Sequence, residues 1–160
     1  MRIVIFGRPG SGKSTFAHSL HLFTKIPLYH LDKYFFIKNW QERNYNDFLK
    51  IQQSIVIQDN WIIDGNSIKS RADLILYFNY SKLVCLYRIF KRFFIKHVEI
   101  DNRAIGCNEI IRFRLLKYMW IFEKRVNPII EDLRSMNNFF EIKNNKDLQQ
   151  ILQLIMYNHC

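Results

Sequence analysis

Cysteine is scarce in this chain, and the few cysteines present are poorly spaced for cross-links. Cys85, Cys107 and Cys160 form no CxxC pair, and an odd number leaves one residue over in any disulfide scheme. The pattern therefore argues against a disulfide framework and against a cysteine-based zinc site. It favours a reducing compartment, and we expect a cytoplasmic protein.

Long apolar runs are also lacking. The opening run, Ile3 to Phe6, is much shorter than the apolar region of a signal peptide, and no stretch approaches the roughly 18 apolar residues of a membrane span. Internal repeats, low-complexity tracts and interdomain linkers are missing as well. The sequence thus predicts no membrane partner and a single domain over residues 1–160.

Acidic residues are outnumbered by basic ones, 14 against 24, which gives a formal net charge of +10. The excess is concentrated between residues 81 and 125, where eleven Lys or Arg face four acids. This charge implies an anionic partner, but nucleotide phosphates, nucleic acid and membrane surfaces are all anionic. The choice between them depends on motifs.

One motif of this kind is present near the N-terminus. Residues 7–14, GRPGSGKS, match G-x-x-x-x-G-K-[ST], and they follow an apolar run and precede a helical pattern, as the motif requires. Glycines let the backbone approach phosphates, so that its N–H groups form an anion nest at a helix N-terminus. We predict nucleotide contacts from Gly7, Arg8, Pro9, Gly10, Ser11, Gly12, Lys13, Ser14 and Thr15, joined by Arg88.

The motif assigns a role to several of these side chains. Lys13 is predicted to reach the β- and γ-phosphates and to serve catalysis, and the Ser14 hydroxyl to coordinate Mg²⁺. Thr15 is placed to support the α-phosphate. The predicted cofactors are therefore ATP and Mg²⁺. Replacing Lys13 by alanine is expected to abolish ATP-dependent turnover and to leave the fold intact.

Two aspartates follow predicted strands and are expected at the carboxyl edge of the sheet. Asp64 follows an apolar strand as a Walker-B carboxylate does, which predicts a water-mediated contact to Mg²⁺. Asp32 is predicted to orient or deprotonate an acceptor hydroxyl. The alternative for both is a helix cap or turn carboxylate. His30 and His97 are further acid–base candidates, although a lone histidine is more often a packing or surface residue.

The basic segment places Arg88 and Arg92 four residues apart on one helix face. A charged face is usually only solvated, but beside a phosphate site guanidinium groups stabilise the charge that develops during phosphoryl transfer. We therefore predict catalytic roles for both, on or near a lid at about residues 93–116. Weaker candidates of the same type are Arg112, Arg114, Lys124 and Arg125.

Short apolar strands alternate with helices along the chain, which predicts a parallel sheet covered on both faces. The expected fold class is α/β: a P-loop NTPase with three α/β/α layers, a five-stranded parallel sheet and a helical lid. A helix in the basic region is expected to be bent or interrupted near Pro128. Predicted strands cover 2–6, 28–31, 61–63, 74–78 and 139–142. Predicted helices cover 13–24, 45–57, 81–97, 108–135 and 147–156.

Taken in order, several segments resemble a known family, the adenylate-kinase-like P-loop proteins called DNA topology modulation proteins of the FlaR type. The resemblance runs from Arg2 to about Leu152. It is carried by the P-loop, YHLD at 29–32, WIIDGN at 61–66, CLYR at 85–88, Lys91-Arg92, Gly106-Cys107 and the helix at 117–125.

This resemblance implies a sheet of order 2-3-1-4-5, use of ATP and Mg²⁺, and lid-arginine roles for Arg88 and Arg92. It also implies that the nucleotide base lies near residues 143–146. Between Asn66 and Ala72 the chain looks shorter than the family's loop, which helps to form the acceptor side. The resemblance therefore leaves the acceptor unidentified.

Two functions remain open at this point. The first is phosphoryl transfer from ATP to a nucleotide or other small-molecule acceptor, and it explains where the charge is located. The second is a nucleotide-regulated DNA-binding protein that affects DNA topology, which the family label and the basic composition favour. No helix-turn-helix, zinc finger or other module that reads nucleic acid is visible in the sequence.

Overall fold

The structure, a computed structural model, describes residues 1–65, 70–94 and 113–159. Most of the predicted lid lies outside the described residues, as do His97, Arg112 and the side chain of Arg114. The loop at 66–69 lies outside them too.

A five-stranded parallel sheet forms the centre of the fold, and a two-stranded antiparallel sheet lies apart from it. The strands of the large sheet are β1 (Arg2–Gly7), β2 (Leu28–His30), β5 (Trp61–Asp64), β6 (Leu74–Phe78) and β7 (Phe139–Ile142). The small sheet pairs β3 (Phe36–Ile37) with β4 (Gln41–Glu42). The six α-helices described are α1 (Lys13–Thr24), α2 (Leu31–Phe35), α3 (Tyr45–Val56), α4 (Lys82–Phe94), α5 (Phe113–Arg134) and α6 (Asn145–His159).

The strand order of the large sheet is β2-β5-β1-β6-β7. In the numbering of the described strands this differs from the expected 2-3-1-4-5. The difference comes from the β3–β4 hairpin, which the sequence analysis did not predict and which precedes the third strand of the large sheet. If only the five strands of the large sheet are numbered in chain order, their order across the sheet is 2-3-1-4-5. The hairpin was missed because strands of two residues are too short to show a period.

Both faces of the large sheet are covered, because successive side chains of each strand point to opposite sides. In β1, Ile3 and Ile5 pack with residues of α1, α4 and α6, whereas Val4 and Phe6 pack with residues of α3 and α5. All four side chains are buried. This alternation produces the three α/β/α layers and explains why the strands are apolar throughout.

Two helices differ from their predicted form. A single helix, α5, runs through Pro128 without the interruption that was one of the two forms expected there. The last helix, α6, starts at Asn145, two residues before its predicted start. The Asn144 side chain accepts hydrogen bonds from the N–H groups of Lys146 and Asp147, and the Asp147 carboxylate accepts one from Lys143 N–H. The Asn144 side chain thus caps the first turn of α6, which fixes the helix start.

The loop between β1 and α1 is seated on α4. Gly10 has a φ of 79°, and a Cβ atom built there would overlap Cys85 O and lie 2.9 Å from Ile89 Cγ1. Gly12 also has a positive φ, 92°, but a Cβ atom there would lie 3.5 Å from its nearest neighbour, Arg88 Nη1. The motif leaves position 10 unspecified, yet the tertiary contact with α4 requires glycine there.

This contact predicts unequal effects of two similar substitutions. Gly10→Ala should lower the free energy of unfolding by about 1–3 kcal/mol more than Gly12→Ala, since both strain φ but only the first overlaps α4. Urea unfolding of the nucleotide-free protein measures the difference. Equal losses in the two variants would mean that the loop does not rest on α4.

Candidate functional site

The N-terminus of α1 is built to receive an anion. Gly12 occupies the N-cap position of this helix in a left-handed conformation and provides no side-chain cap, and no acidic residue lies in the first turn. These N–H groups and the positive end of the helix dipole face the same loop. The glycine loop that the sequence predicts is therefore present, with its helix end uncapped.

Lys13 projects from this helix start toward the end of β5. Its ammonium Nζ lies 3.0 Å from Asp64 Oδ1 and 3.4 Å from Ser14 Oγ. Burial alone would lower the pKa of Lys13, but the negative charges of Asp64 and Asp32 raise it above its ordinary value of 10.5. The group is therefore a permanent cation at the loop.

Asp64 is the partner that holds these groups together. The carboxylate is 5% exposed, and its second oxygen, Oδ2, lies 2.8 Å from His30 Nδ1. Burial by itself would raise the pKa of Asp64, but the charge of Lys13 and hydrogen bonds from His30 and Ser14 keep it well below its ordinary value of 3.8. A buried carboxylate thus stays ionised beside the loop.

The sheet explains why these residues meet. In the parallel register His30 of β2 is opposite Asp64 of β5, and Asp64 is also paired with Ile5 of β1. The loop starts where β1 ends, so the carboxyl ends of all three strands open at one edge. Asp32 follows two residues after His30, in α2, where it is exposed and within electrostatic reach of Lys13.

Ser14 and Asp64, the two predicted metal-binding residues, lie in hydrogen-bond contact. Hydroxyl and carboxylate oxygens are ligands that Mg²⁺ accepts, and Mg²⁺ is usually held by one or two side chains together with substrate phosphates. The pair therefore fits that ion. Within the described residues, no group of three or more His, Cys, Asp or Glu side chains could hold a metal ion without such help.

Arg88 crosses from α4 to the loop. Its Nη1 donates to Ser11 O at 2.8 Å, and its guanidinium carbon lies 4.5 Å from the centre of the Tyr80 ring. A hydrogen bond and a cation–π contact thus hold it at the rim of the loop. Arg92, one turn further along, is exposed and lines a cavity beside the loop.

A cavity of about 530 Å³ opens beside the loop. The loop, the first turns of α1, one face of α4 and the first turns of α6 line it. Tyr80 donates a hydrogen bond from its hydroxyl to Asn145 Oδ1 at 3.0 Å across this region. The residues that line it include Gly10, Gly12, Thr15, Tyr80, Arg88 and Asn145.

The side chain of Arg8 does not join the predicted phosphate contacts. It is 1% exposed, donates to Tyr80 O at 3.1 Å, and forms an ion pair with Glu123 of α5. Its guanidinium carbon also lies 5.9 Å from the centre of the Phe122 ring. The Arg8 side chain therefore ties the loop to α5, and the predicted contact of Arg8 with a phosphate stays a prediction for its main-chain N–H.

Sequence reasoning also missed some partners. It considered His30 as an acid–base candidate or a packing or surface residue, whereas the fold places it against Asp64. It gave Tyr80 no role, although Tyr80 contacts Arg8, Arg88 and Asn145. The sequence signal for His30 was its position near the end of a predicted strand, two residues before Asp32.

Solved structures with a similar fold include small-molecule kinases. A shikimate kinase from Acinetobacter baumannii in complex with shikimate has a TM-score of 0.61 and 15% identity, covering 99% of this chain and 94% of its own. Shikimate kinase from Bacteroides thetaiotaomicron has a TM-score of 0.59 and 15% identity, with 98% of both chains covered. Deoxyadenosine kinase from M. mycoides, with products dCMP and dCDP bound, has a TM-score of 0.53 and 16% identity, covering 99% and 97%. The chain thus shares its fold with these three structures.

At this level of identity the likeness establishes the fold alone. No protein-family model matches the chain, and no curated protein matches it either. The resemblance to the FlaR-type family therefore stays a prediction. Among the helices of the described ranges, none is long and apolar enough to span a membrane.

The Lys13–Asp64 pair predicts how stability depends on pH. The pKa of Asp64 is lowered by folding, so its contribution is present above 3.8 and is lost as pH falls below that value. The pKa of Lys13 is raised, so its contribution is present below 10.5 and is lost as pH rises above that value. The free energy of unfolding should therefore decline at both extremes.

Urea unfolding from pH 5 to pH 2 tests the acid side. Asp64→Asn should remove up to about 1.4 kcal/mol per pH unit from the slope of the wild type. Asp132→Asn, which changes an exposed carboxylate of α5, is the matched control and should retain that slope. An unchanged slope in Asp64→Asn would contradict the assignment.

Proposed function

We propose that this protein is a kinase that transfers the γ-phosphoryl group of ATP to a nucleotide or another small-molecule acceptor. The observation that carries this proposal is the convergence of four features on one loop: uncapped helix N–H groups, the Lys13 ammonium, the Ser14–Asp64 oxygen pair and the Arg88 guanidinium. These features supply N–H donors, positive charge and metal-binding oxygens, which a triphosphate with Mg²⁺ requires. The fold shared with kinases of small molecules supports the same conclusion.

In this proposal, binding and charge stabilisation do most of the catalytic work. The loop N–H groups and Lys13 hold the β- and γ-phosphates, and Thr15 supports the α-phosphate. Arg88 and Arg92 neutralise the charge that develops on the transferred group. Mg²⁺, held by Ser14 and through water by Asp64, would neutralise charge on the phosphates.

The nucleotide base is assigned to the cavity between the loop and the start of α6. The resemblance implies a base near residues 143–146, and Asn145 lines this cavity. Tyr80 donates to Asn145 Oδ1, which leaves the amide Nδ2 as a donor without a partner among the described residues. Nδ2 can therefore donate to an acceptor nitrogen of the base.

The acceptor is assigned to the opposite side of the loop, toward Asp32. This carboxylate is exposed, and its charge acts on both Lys13 and the Tyr118 hydroxyl of α5. An acceptor hydroxyl there would be oriented or deprotonated by Asp32. Similar structures hold shikimate or deoxynucleotide products, which suggests nucleosides, nucleoside monophosphates and small hydroxy acids as the first acceptors to test.

A nucleotide-regulated DNA-binding protein is the second candidate. It is favoured by exposed basic residues on α4 and α5: Lys91, Arg92, Lys117, Lys124 and Arg125. Duplex binding through such residues would weaken steeply with salt. Acceptor-dependent ADP formation, screened across the three acceptor classes, favours the kinase. Salt-sensitive duplex binding without any acceptor stimulation favours the second function and contradicts the first.

Lys13 offers a sharp test of the triphosphate site. Lys13→Ala should lower kcat by at least about 10²-fold, because a cation on the transferred phosphate is lost. The structure adds a consequence that the motif does not predict. Asp64 loses its buried partner, so the free energy of unfolding should fall by roughly 3 kcal/mol.

A second variant separates these two effects. Lys13→Arg keeps the positive charge beside Asp64 and should retain more stability than Lys13→Ala. The planar guanidinium group of arginine, however, cannot reproduce the compact charge of the lysine ammonium at the phosphates. Activity should therefore stay low in both variants while stability recovers in one. Wild-type turnover in Lys13→Ala, measured as ADP formation, would refute the proposal.

Asn145 tests the base assignment. Asn145→Ala should weaken ATP binding by about tenfold, which corresponds to the loss of one hydrogen bond of about 1.4 kcal/mol. Binding of inorganic tripolyphosphate, which has no base, should stay within about twofold of wild type. Calorimetric titration with the two ligands makes the comparison. Equal loss for both ligands would place the base elsewhere.

A further inference from the structure

His30 is a buried histidine at the centre of the site, and the proposed phosphoryl transfer does not use it. It is 7% exposed and ends β2, directly opposite Asp64 in the parallel register with β5. Buried polar side chains need partners, and the partner of this ring is a carboxylate of the candidate site. The sheet itself, rather than a loop, fixes the two residues relative to each other.

The two oxygens of Asp64 have different partners. Oδ2 lies 2.8 Å from His30 Nδ1, and Oδ1 lies 3.0 Å from Lys13 Nζ. Rotation of a carboxylate about its last side-chain bond is only weakly restricted by covalent geometry. The orientation of Asp64 is therefore set by its hydrogen bonds.

A bound triphosphate would change the hydrogen-bond partners of Asp64. The phosphates compete with Asp64 for the Lys13 ammonium, because both are anions within reach of the same cation. When Lys13 turns to the phosphates, Asp64 remains a buried carboxylate whose other partners are His30 and Ser14. Of these two, only His30 is held rigidly by the sheet.

We propose that His30 is a positioning residue whose Nδ1–H fixes the Asp64 carboxylate in the orientation that the nucleotide-bound site needs. The inference rests on the proposed function, because the carboxylate matters only if Mg²⁺ and a triphosphate bind beside it. His30 acts through Asp64 and needs no contact with substrate. Partners of this kind commonly orient the carboxylates and histidines of metal sites.

Three substitutions distinguish positioning from packing. His30→Asn places an amide donor near the position of Nδ1, and His30→Gln places the same donor one methylene further out. His30→Leu fills similar space without a donor. If only packing mattered, Asn would be the poorest replacement, because it is the smallest. If the Nδ1–H bond matters, Asn should be the best of the three.

The readout is the Mg²⁺ concentration needed for half-maximal binding of a fluorescent ATP analogue, which does not require turnover. His30→Leu and His30→Gln should raise this concentration by about 10–100-fold, and His30→Asn should stay within about threefold of wild type. Binding of the analogue without Mg²⁺ should be alike in all four proteins. In any acceptor reaction that is found, kcat should fall in His30→Leu and His30→Gln, while KM for ATP should change little.

The possible failures have different meanings. If the wild type does not bind the analogue at any Mg²⁺ concentration, the proposed function fails and this inference falls with it. If the wild type binds it and all three variants show the wild-type Mg²⁺ dependence, the positioning role alone is wrong. Equal impairment of Asn and Gln would also overturn it. If His30→Leu does not fold, as judged by circular dichroism, the comparison of His30→Asn with His30→Gln tests the proposal.

Discussion

The candidate site depends on one buried carboxylate. Asp64 ends the strand β5, and its two oxygens contact residues from two other segments: Lys13 and Ser14 at the start of α1, and His30 at the end of β2. A carboxylate this deeply buried is stable as an anion only with such partners. The glycine loop, the second strand and the third strand of the large sheet are therefore coupled through a single side chain.

Two further contacts hold the loop from its other side. Gly10 lies against the backbone of α4 at Cys85, and Arg8 reaches Tyr80 O and Glu123 of α5. The helices that flank the predicted lid thus contact the loop directly. A loop fixed on both sides keeps its N–H groups in place without a ligand, and this preorganisation reduces the ordering required when an anion binds.

The basic side chains of α4 and α5 differ in how closely they are held by the rest of the structure. Arg88 is held on the loop by Ser11 O and Tyr80, whereas Lys117 and Lys124 are exposed on α5. Close hydrogen bonding and ring contact distinguish a cation that belongs to a site from one that is merely solvated. This difference supports a nucleotide phosphate as the anionic partner over an extended polyanion.

The sequence alone determined the features that depend on local order: the glycine loop, the apolar strands covered on both faces, and most helix positions, including α1 and α3. Periodicity and turn chemistry are local, so they can be read without the fold. Only the tertiary structure decided that Arg8 pairs with Glu123, that Gly10 meets α4, and that His30 meets Asp64. These contacts join residues 34 to 115 positions apart, and no local pattern encodes which distant partner a side chain will reach.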